Sequence, residues 1–207
     1  MSAIEHDLFI EWMKWLQSNF PSHMFTYDGI VSINDWMATP TKVLLVLKDY
    51  NDTCRSGRYL PLNQFNIRDR ESIKANVPNL HYHLANSISQ KKNWRTWNNA
   101  ARWVYGLLNS DFGKDPPYTE ARKAGDVRNR TANMKKVDVL DLKKQPGTAS
   151  CSKQMLDDYF KNHQEAYSFL ARQVSLYGHL DFVICCDDDI IDHYLRVMKT
   201  DILKSQK

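Results

Sequence analysis

Three short apolar runs, widely separated along the chain, constrain the fold more than any other feature of the sequence. They are Val43–Leu47, Val137–Leu142 and Phe182–Cys186, each rich in Val, Leu or Ile and without strict alternation of apolar and polar residues. In a strand that is buried on one face, apolar and polar residues alternate, whereas a strand that is buried on both faces is a continuous apolar run. The three runs therefore predict strands of a sheet that is buried on both sides.

Helical patterns separate these runs. Residues 4–20 place large apolar side chains on one face, and "NWRTWNNAARWVYGLL" carries a similar stripe. The segment from Ser152 to Gly178 predicts one long helix, with Ser152 as its N-cap and Gly178 at its end. The string "DDDIIDHYLRVMKT" predicts a last helix whose acidic first turn suits the helix dipole.

Strands that alternate with helices predict right-handed crossovers and a mainly parallel sheet. We therefore expect an α/β fold, a three-layer α/β/α sandwich with a short central sheet, formed by a single domain over residues 1–207. In such sheets, ligands bind beyond the C-terminal ends of the strands.

Composition narrows the class of protein. The chain has 207 residues, of which 43% are hydrophobic and 25% charged, which is ordinary for a folded domain. No apolar run approaches the ~20 residues needed to span a bilayer, and "MSAIEHDLFIEW" lacks a signal-peptide pattern. The four cysteines form no CxxC motif, so we expect no disulfide framework, no zinc site and a cytoplasmic protein.

Positive charge is concentrated in one segment. The formal net charge is +4, and residues 114–144 contain nine Lys or Arg against five Asp or Glu. This basic segment leads into the second predicted strand. It is either a surface that contacts phosphate or an ordinary solvated surface.

Polar groups crowd the ends of the three predicted strands, in "LKDYND", "DLKKQPG" and "CCDDD". Asp49 is placed to orient or activate a water, or to act as a nucleophile; the alternative is that it caps the backbone of its own loop. Lys143 and Lys144 are candidate phosphate ligands, or they only neutralise Asp141. Lys48, at the first strand end, is a further candidate phosphate ligand.

Two other patterns allow two interpretations. "DDDIIDH" is either a Mg²⁺ site or, more simply, charge complementation of a helix N-terminus. "KKNWRTWNN" mixes basic and aromatic residues, as in proteins that bind single-stranded nucleic acid, but the spacing of Trp94 and Trp97 favours core packing. Arg95 still remains a candidate phosphate ligand. His81 and His83 diverge on a helix and predict no shared ligand.

The order of "KVLLVLKDYN", "NWRTWNNAARW", "VDVLDLKKQPG" and "LDFVICCDDD" resembles a divergent branch of the uracil-DNA glycosylase superfamily. The resemblance implies a parallel four-stranded sheet between helical layers and a DNA partner, with no cofactor. It implies that Asp49, with Asn51, positions the attacking water and that Asp141 contacts the flipped-out base. Phe65 or Tyr59 would stack on that base.

The chain departs from the family at two places. The second strand of the family usually ends in Asn rather than Asp141, and an ionised carboxylate only accepts hydrogen bonds. We also find no fourth parallel strand and no His-Pro loop after "KTDILKSQK", so we expect a shortened relative that binds nucleic acid with or without catalysis. A second copy of the chain is a candidate to cover the exposed sheet edge.

Two alternatives belong to other classes. "VLKDYNDT" resembles the opening motif of haloacid dehalogenase phosphatases, with Asp49 as nucleophile, Lys143 on the phosphoryl group, and Asp187 and Asp192 as Mg²⁺ ligands. The residue at the general-acid position of that motif is Asn51. The other alternative is a non-catalytic module that binds nucleic acid with strongly salt-dependent affinity.

Overall fold

The computed structural model describes residues 3–49, 59–80, 84–85, 95–111, 114–146 and 151–205. The helices in these ranges are α1 (Ala3–Asn19), α2 (Ile33–Ala38), α3 (Arg70–Asn76), α4 (Arg95–Asn109), α5 (Tyr118–Ala124), α6 (Arg130–Met134), α7 (Lys153–Asn162), α8 (Ala166–Ser175) and α9 (Ile191–Ser205). The strands are β1 (Gly29–Ile30), β2 (Val43–Asp49), β3 (Asp138–Lys143) and β4 (Phe182–Cys185). Short 3-10 turns occupy Leu62–Gln64 and Asp188–Ile190.

The fold is mixed α/β, with a four-stranded sheet in the order β1-β3-β2-β4. Strand β2 pairs in parallel with both β3 and β4, whereas β1 pairs antiparallel with β3. The three strands predicted from apolar runs are confirmed. Strand β1 was not predicted, because two residues are too short to show a pattern; it begins at Gly29, whose φ of 111° suits glycine.

Alternate residues of β2 enter two different apolar clusters. Leu44 and Val46 pack in a cluster with side chains of α1, α7, α8 and α9. Leu45 and Leu47 pack in a second cluster, with Val104 of α4 among their neighbours. Burial on both faces explains why the sequence of β2 does not alternate.

Strand β4 departs from the prediction of burial on both faces. Phe182 is 43% exposed and Val183 39% exposed. Within the described ranges, β4 pairs only with β2, so it forms an edge of the sheet.

The predicted long helix from Ser152 is two helices. The Ser152 hydroxyl accepts a hydrogen bond from the Met155 amide at 3.2 Å, which confirms the N-cap. The chain leaves the helical conformation at His163, with φ −128° and ψ 57°, and α8 begins at Ala166. Gly178, with φ 71°, follows the end of α8.

The tryptophans of α1 are core residues, as predicted. Trp12 is fully buried and stacks on Phe169 with ring centroids 5.1 Å apart, and Trp15 packs against the same cluster. Of the second predicted stripe, Trp97 packs against the second cluster, while Trp94 lies outside the described residues. In the described part of the chain, no helix is long and apolar enough to cross a membrane.

Candidate functional site

The parallel strands β2 and β3 bring Asp49 and Lys143 together at their C-terminal ends. These two residues are register partners, as are Leu47 and Asp141. The Asp49 Oδ2 atom lies 3.0 Å from the Lys143 Nζ atom, and the two side chains are only 5% and 8% exposed. Asp49 of β2 therefore pairs with the Lys143 ammonium of β3 at the edge where parallel sheets bind ligands.

Asp141 lies two residues before Lys143 on β3 and is fully buried. Within the described residues, neither of its carboxyl oxygens has a hydrogen-bond partner. Burial raises the pKa of Asp141 well above its usual range, and Asp28 raises it further, against the opposite effect of Lys144. Burial therefore favours the protonated form of Asp141, and a protonated carboxyl group both donates and accepts hydrogen bonds.

Lys144 points into the interior, where it pairs with Asp28. Both side chains are fully buried. The Lys144 ammonium also lies 5.7 Å from the ring centroid of Phe9 and 5.4 Å from that of Trp12. This placement corrects the prediction that Lys144 binds phosphate: with no exposed surface, it neutralises a buried carboxylate, and that carboxylate is Asp28.

Asp28, the partner of Lys144, also accepts hydrogen bonds from two amide groups. Its Oδ2 atom accepts the Asp141 backbone amide at 2.5 Å, and its Oδ1 atom accepts the Gln173 side-chain amide at 2.8 Å. The Gln173 amide also donates to the Tyr177 hydroxyl at 2.7 Å. Through Asp28, this network links the Asp141 backbone of β3 to Gln173 of α8. It therefore holds the end of β3 in place.

Lys48 links the ends of β2 and β4. Its ammonium lies 3.0 Å from the Asp187 carboxylate and 2.9 Å from the Asp189 carboxylate. Burial lowers the pKa of Lys48, but the hydrogen bonds to Asp189 and Asp187 outweigh burial and raise it overall. Lys48 is thus committed to two acids of the "DDD" string rather than to a phosphate in this conformation.

The same contacts weigh against the Mg²⁺ interpretation of that string. Asp187 serves Lys48, and Asp192 is exposed in the first turn of α9. In the part of the chain that the structure describes, no three His, Cys, Asp or Glu side chains converge to hold a metal ion. Among the described residues, Asp187 is therefore engaged by Lys48 rather than free to bind Mg²⁺, and the phosphatase interpretation stays an untested alternative.

Two histidines from distant parts of the sequence meet near Lys143. The His23 Nδ1 atom lies 3.3 Å from the His163 Nε2 atom, and the His163 Nδ1 atom lies 2.7 Å from the Tyr159 carbonyl oxygen. Burial lowers the pKa of His23, and repulsion from His163 and from the Lys143 ammonium lowers it further. Sequence reasoning missed this pair because its members are 140 positions apart and neither lies in a recognisable motif.

Cys151 also lies beside the pair formed by Asp49 and Lys143. Burial raises the pKa of the Cys151 thiol, and the Asp49 carboxylate raises it further, against Lys143. The residue is therefore a neutral thiol at neutral pH and not an activated nucleophile.

The other predicted site residues are dispersed. Phe65 is half-buried and packs against the first apolar cluster, and Tyr59 is also half-buried. Arg95 is exposed at the start of α4. Asn51 lies outside the described residues.

The basic segment does not form one surface. Arg122 and Lys123 are exposed on α5, but Arg130 is fully buried and donates to the Asn98 side chain at 2.6 Å. Lys136 lies seven positions before Lys143, which at ~3.3 Å per residue of extended chain corresponds to roughly 23 Å. Lys136 therefore lies toward the opposite end of β3 from the candidate site.

Comparisons with protein-family models, with curated proteins and with solved structures found no match.

Proposed function

We propose that the protein binds DNA at the C-terminal ends of β2 and β3 and hydrolyses the N-glycosidic bond of an altered base. The observation that carries this proposal is the nearly buried ion pair of Asp49 and Lys143. Asp141 lies two positions before Lys143 on the same strand, and its carboxyl oxygens have no hydrogen-bond partner among the described residues. The three groups offer a charged oxygen for a water, a cation for a nearby anion, and a donor–acceptor pair for a base. We further propose that helices cover both faces of the sheet as a three-layer α/β/α sandwich.

Asp49 orients the attacking water in this scheme. The water oxygen bonds to C1′ of the sugar while the C1′–N bond breaks and its electron pair leaves with the base. The sugar carries positive charge in such transition states. A carboxylate beside C1′ both holds the water and stabilises this charge, while Lys143 keeps Asp49 in place.

Asp141 reads the base. An ionised carboxylate offers only acceptors, which was the difficulty raised by the sequence. A protonated carboxyl group presents an O–H donor beside a C=O acceptor, and this pattern matches the side-chain amide of Asn. It is complementary to a base edge that carries an acceptor next to a donor.

The buried position of Asp141 requires a flipped-out base and an opening of the site. Enzymes that act on a base extrude it from the helix at a cost of a few kcal/mol, which is smallest for mismatched or single-stranded bases. We therefore expect preference for single-stranded or mismatched substrates over paired ones.

Base release and binding are best measured together, on labelled single- and double-stranded DNA that carries uracil or another altered base, over a salt series. The variant is Asp49→Asn, and the matched control is Asp187→Asn, which removes the carboxylate of a different lysine pair. We expect release by the wild type and by Asp187→Asn, and a loss of about 100-fold or more in Asp49→Asn.

Two results would count against the proposal. Salt-sensitive binding without release in the wild type would reject catalysis and leave a nucleic-acid-binding module. Neither binding nor release would reject the nucleic-acid partner, and a screen for Mg²⁺-dependent phosphatase activity would follow.

A further inference from the structure

The hydrogen bonds of His23 and His163 define which ring nitrogens carry protons. A carbonyl oxygen only accepts, so the His163 Nδ1 atom, 2.7 Å from the Tyr159 oxygen, must donate. In the neutral ring, His163 Nε2 is then an acceptor. His23 Nδ1, 3.3 Å away, must therefore carry a proton and donate it to His163 Nε2.

These two hydrogen bonds leave the His23 Nε2 atom as an acceptor. With Nδ1 protonated, the Nε2 atom of neutral His23 holds a lone pair, and no hydrogen bond to it is present among the described residues. Neutral histidine without such partners prefers the opposite tautomer, so the arrangement is imposed by the fold. His163 acts on His23 as the third member of a catalytic triad acts on its histidine.

Aromatic rings hold the pair in place. Phe20 stacks on His23 with an interplanar angle of 6° and lies 4.1 Å from His163 between ring centroids, and Tyr159 stacks on His163. His163 is 5% exposed, whereas His23 is only half-buried. The inner ring is therefore fixed and the outer ring is accessible.

The pair is tied to the candidate site from two directions. The His23 carbonyl oxygen accepts the Leu62 amide at 2.8 Å, in the segment that follows β2 and leads to Phe65. Burial lowers the pKa of His23, and repulsion from His163 and then from the Lys143 ammonium lowers it further. His163 and Lys143 are the ionisable groups that act on His23, and both keep it neutral near pH 7.

We infer that His23 is the proton-transfer residue of this site and that His163 is its positioning residue. The inference rests on the proposed function, whose water must lose a proton. The water held by Asp49 bonds to C1′, and its proton passes to His23 Nε2. The C1′–N electron pair leaves with the base, which then takes that proton from His23, so that water is consumed and the neutral base is released.

The tautomers are tested without any reaction, by ¹⁵N NMR of histidine-labelled protein. We expect both rings to be protonated at Nδ1 near pH 7, and we expect His23 to change toward the common Nε2-protonated form in His163→Ala. A wild-type His23 protonated at Nε2 would overturn the inference, whatever the protein does to DNA.

Base release is then followed as a function of pH in His23→Gln, His163→Gln and His163→Ala. We expect His23→Gln to lose about 100-fold in rate together with the fall in rate on the acid side of the wild-type profile. In His163→Gln the oxygen of the introduced side-chain amide still accepts from His23 Nδ1, so this variant should retain more activity than His163→Ala. Circular dichroism and urea unfolding show which variants are folded.

The outcomes separate the two proposals. An active wild type with an unchanged rate and pH profile in His23→Gln would overturn the role of His23 and leave the proposed glycosylase standing. An inactive wild type with the expected tautomers would overturn the proposed function, and the proton-transfer role would fall with it. Imidazole that restores release to a folded His23→Gly variant would support His23 as the group that moves the proton.

Discussion

Replacing Lys144 by methionine tests whether this lysine stabilises the interior or binds phosphate. Lys144 and Asp28 are both fully buried, and the lysine ammonium lies near the rings of Phe9 and Trp12. Methionine fills a similar volume, so the substitution removes mainly the charge. It leaves the Asp28 carboxylate buried without the ammonium, although the Asp141 and Gln173 amides still donate to it.

Breaking a buried ion pair on one side costs about 3–5 kcal/mol, because the remaining charge is uncompensated. That is a large part of the roughly 5–15 kcal/mol that stabilises an ordinary domain. We therefore expect Lys144→Met to lower the free energy of unfolding in urea by about 3–5 kcal/mol. The double variant Asp28→Asn/Lys144→Met should recover more than half of the loss, since neither buried charge remains.

Lys74→Met is the matched control, because Lys74 pairs with Glu71 on the surface with both side chains more than three-quarters exposed, at 76% and 77%. We expect no measurable change in its unfolding free energy. Lys144→Met with unchanged stability but weakened DNA binding would refute the structural role and restore the phosphate assignment.

Substitutions at three further positions are tested by urea unfolding. Because the folded-state pKa of Asp141 is raised, the folded chain binds more protons than the unfolded chain above about pH 4, and stability falls as pH rises. The pKa of buried Asp138 is raised in the same direction. Asp141→Asn should therefore make this decline shallower without abolishing it, and a decline as steep as that of the wild type would contradict the prediction. His193→Phe removes hydrogen bonds to Tyr167 and Asp157 of 2.8 and 2.9 Å and should cost about 1–3 kcal/mol. Gly178→Ala should cost about 1 kcal/mol, and Gly178→Asn less, because φ is +71° while the added Cβ meets nothing within 4 Å; equal costs would point to another cause.

Local patterns in the sequence were sufficient for the main elements. Continuous apolar runs located β2, β3 and β4, and Ser152 located the start of α7. These signals are short-range, since an apolar run and the hydrogen bond of an N-cap each involve residues within a few positions. The break between α7 and α8, at His163, was not predicted, because no Pro or Gly marks it in the sequence.

Part of the candidate site was likewise predictable from the sequence, and part of it was not. Strand ends carrying Asp49 and Lys143 were predictable, because parallel strands end at one edge of a sheet. Their 3.0 Å contact required the register of β2 against β3. Lys143 and its neighbour Lys144 look alike in sequence, but successive side chains of an extended chain point to opposite faces, so one pairs with Asp49 and the other with buried Asp28.

The sequence by itself determined that the chain forms a sheet with helices between its main strands and that polar groups gather at the strand ends. Only the tertiary structure decided the burial of Asp141, which raises its pKa, the interior role of Lys144 and the pairing of His23 with His163. Apolar periodicity depends only on residues that are close together in the sequence. Burial and charge at one atom depend on every chain segment that surrounds it, and those segments are brought together only by folding.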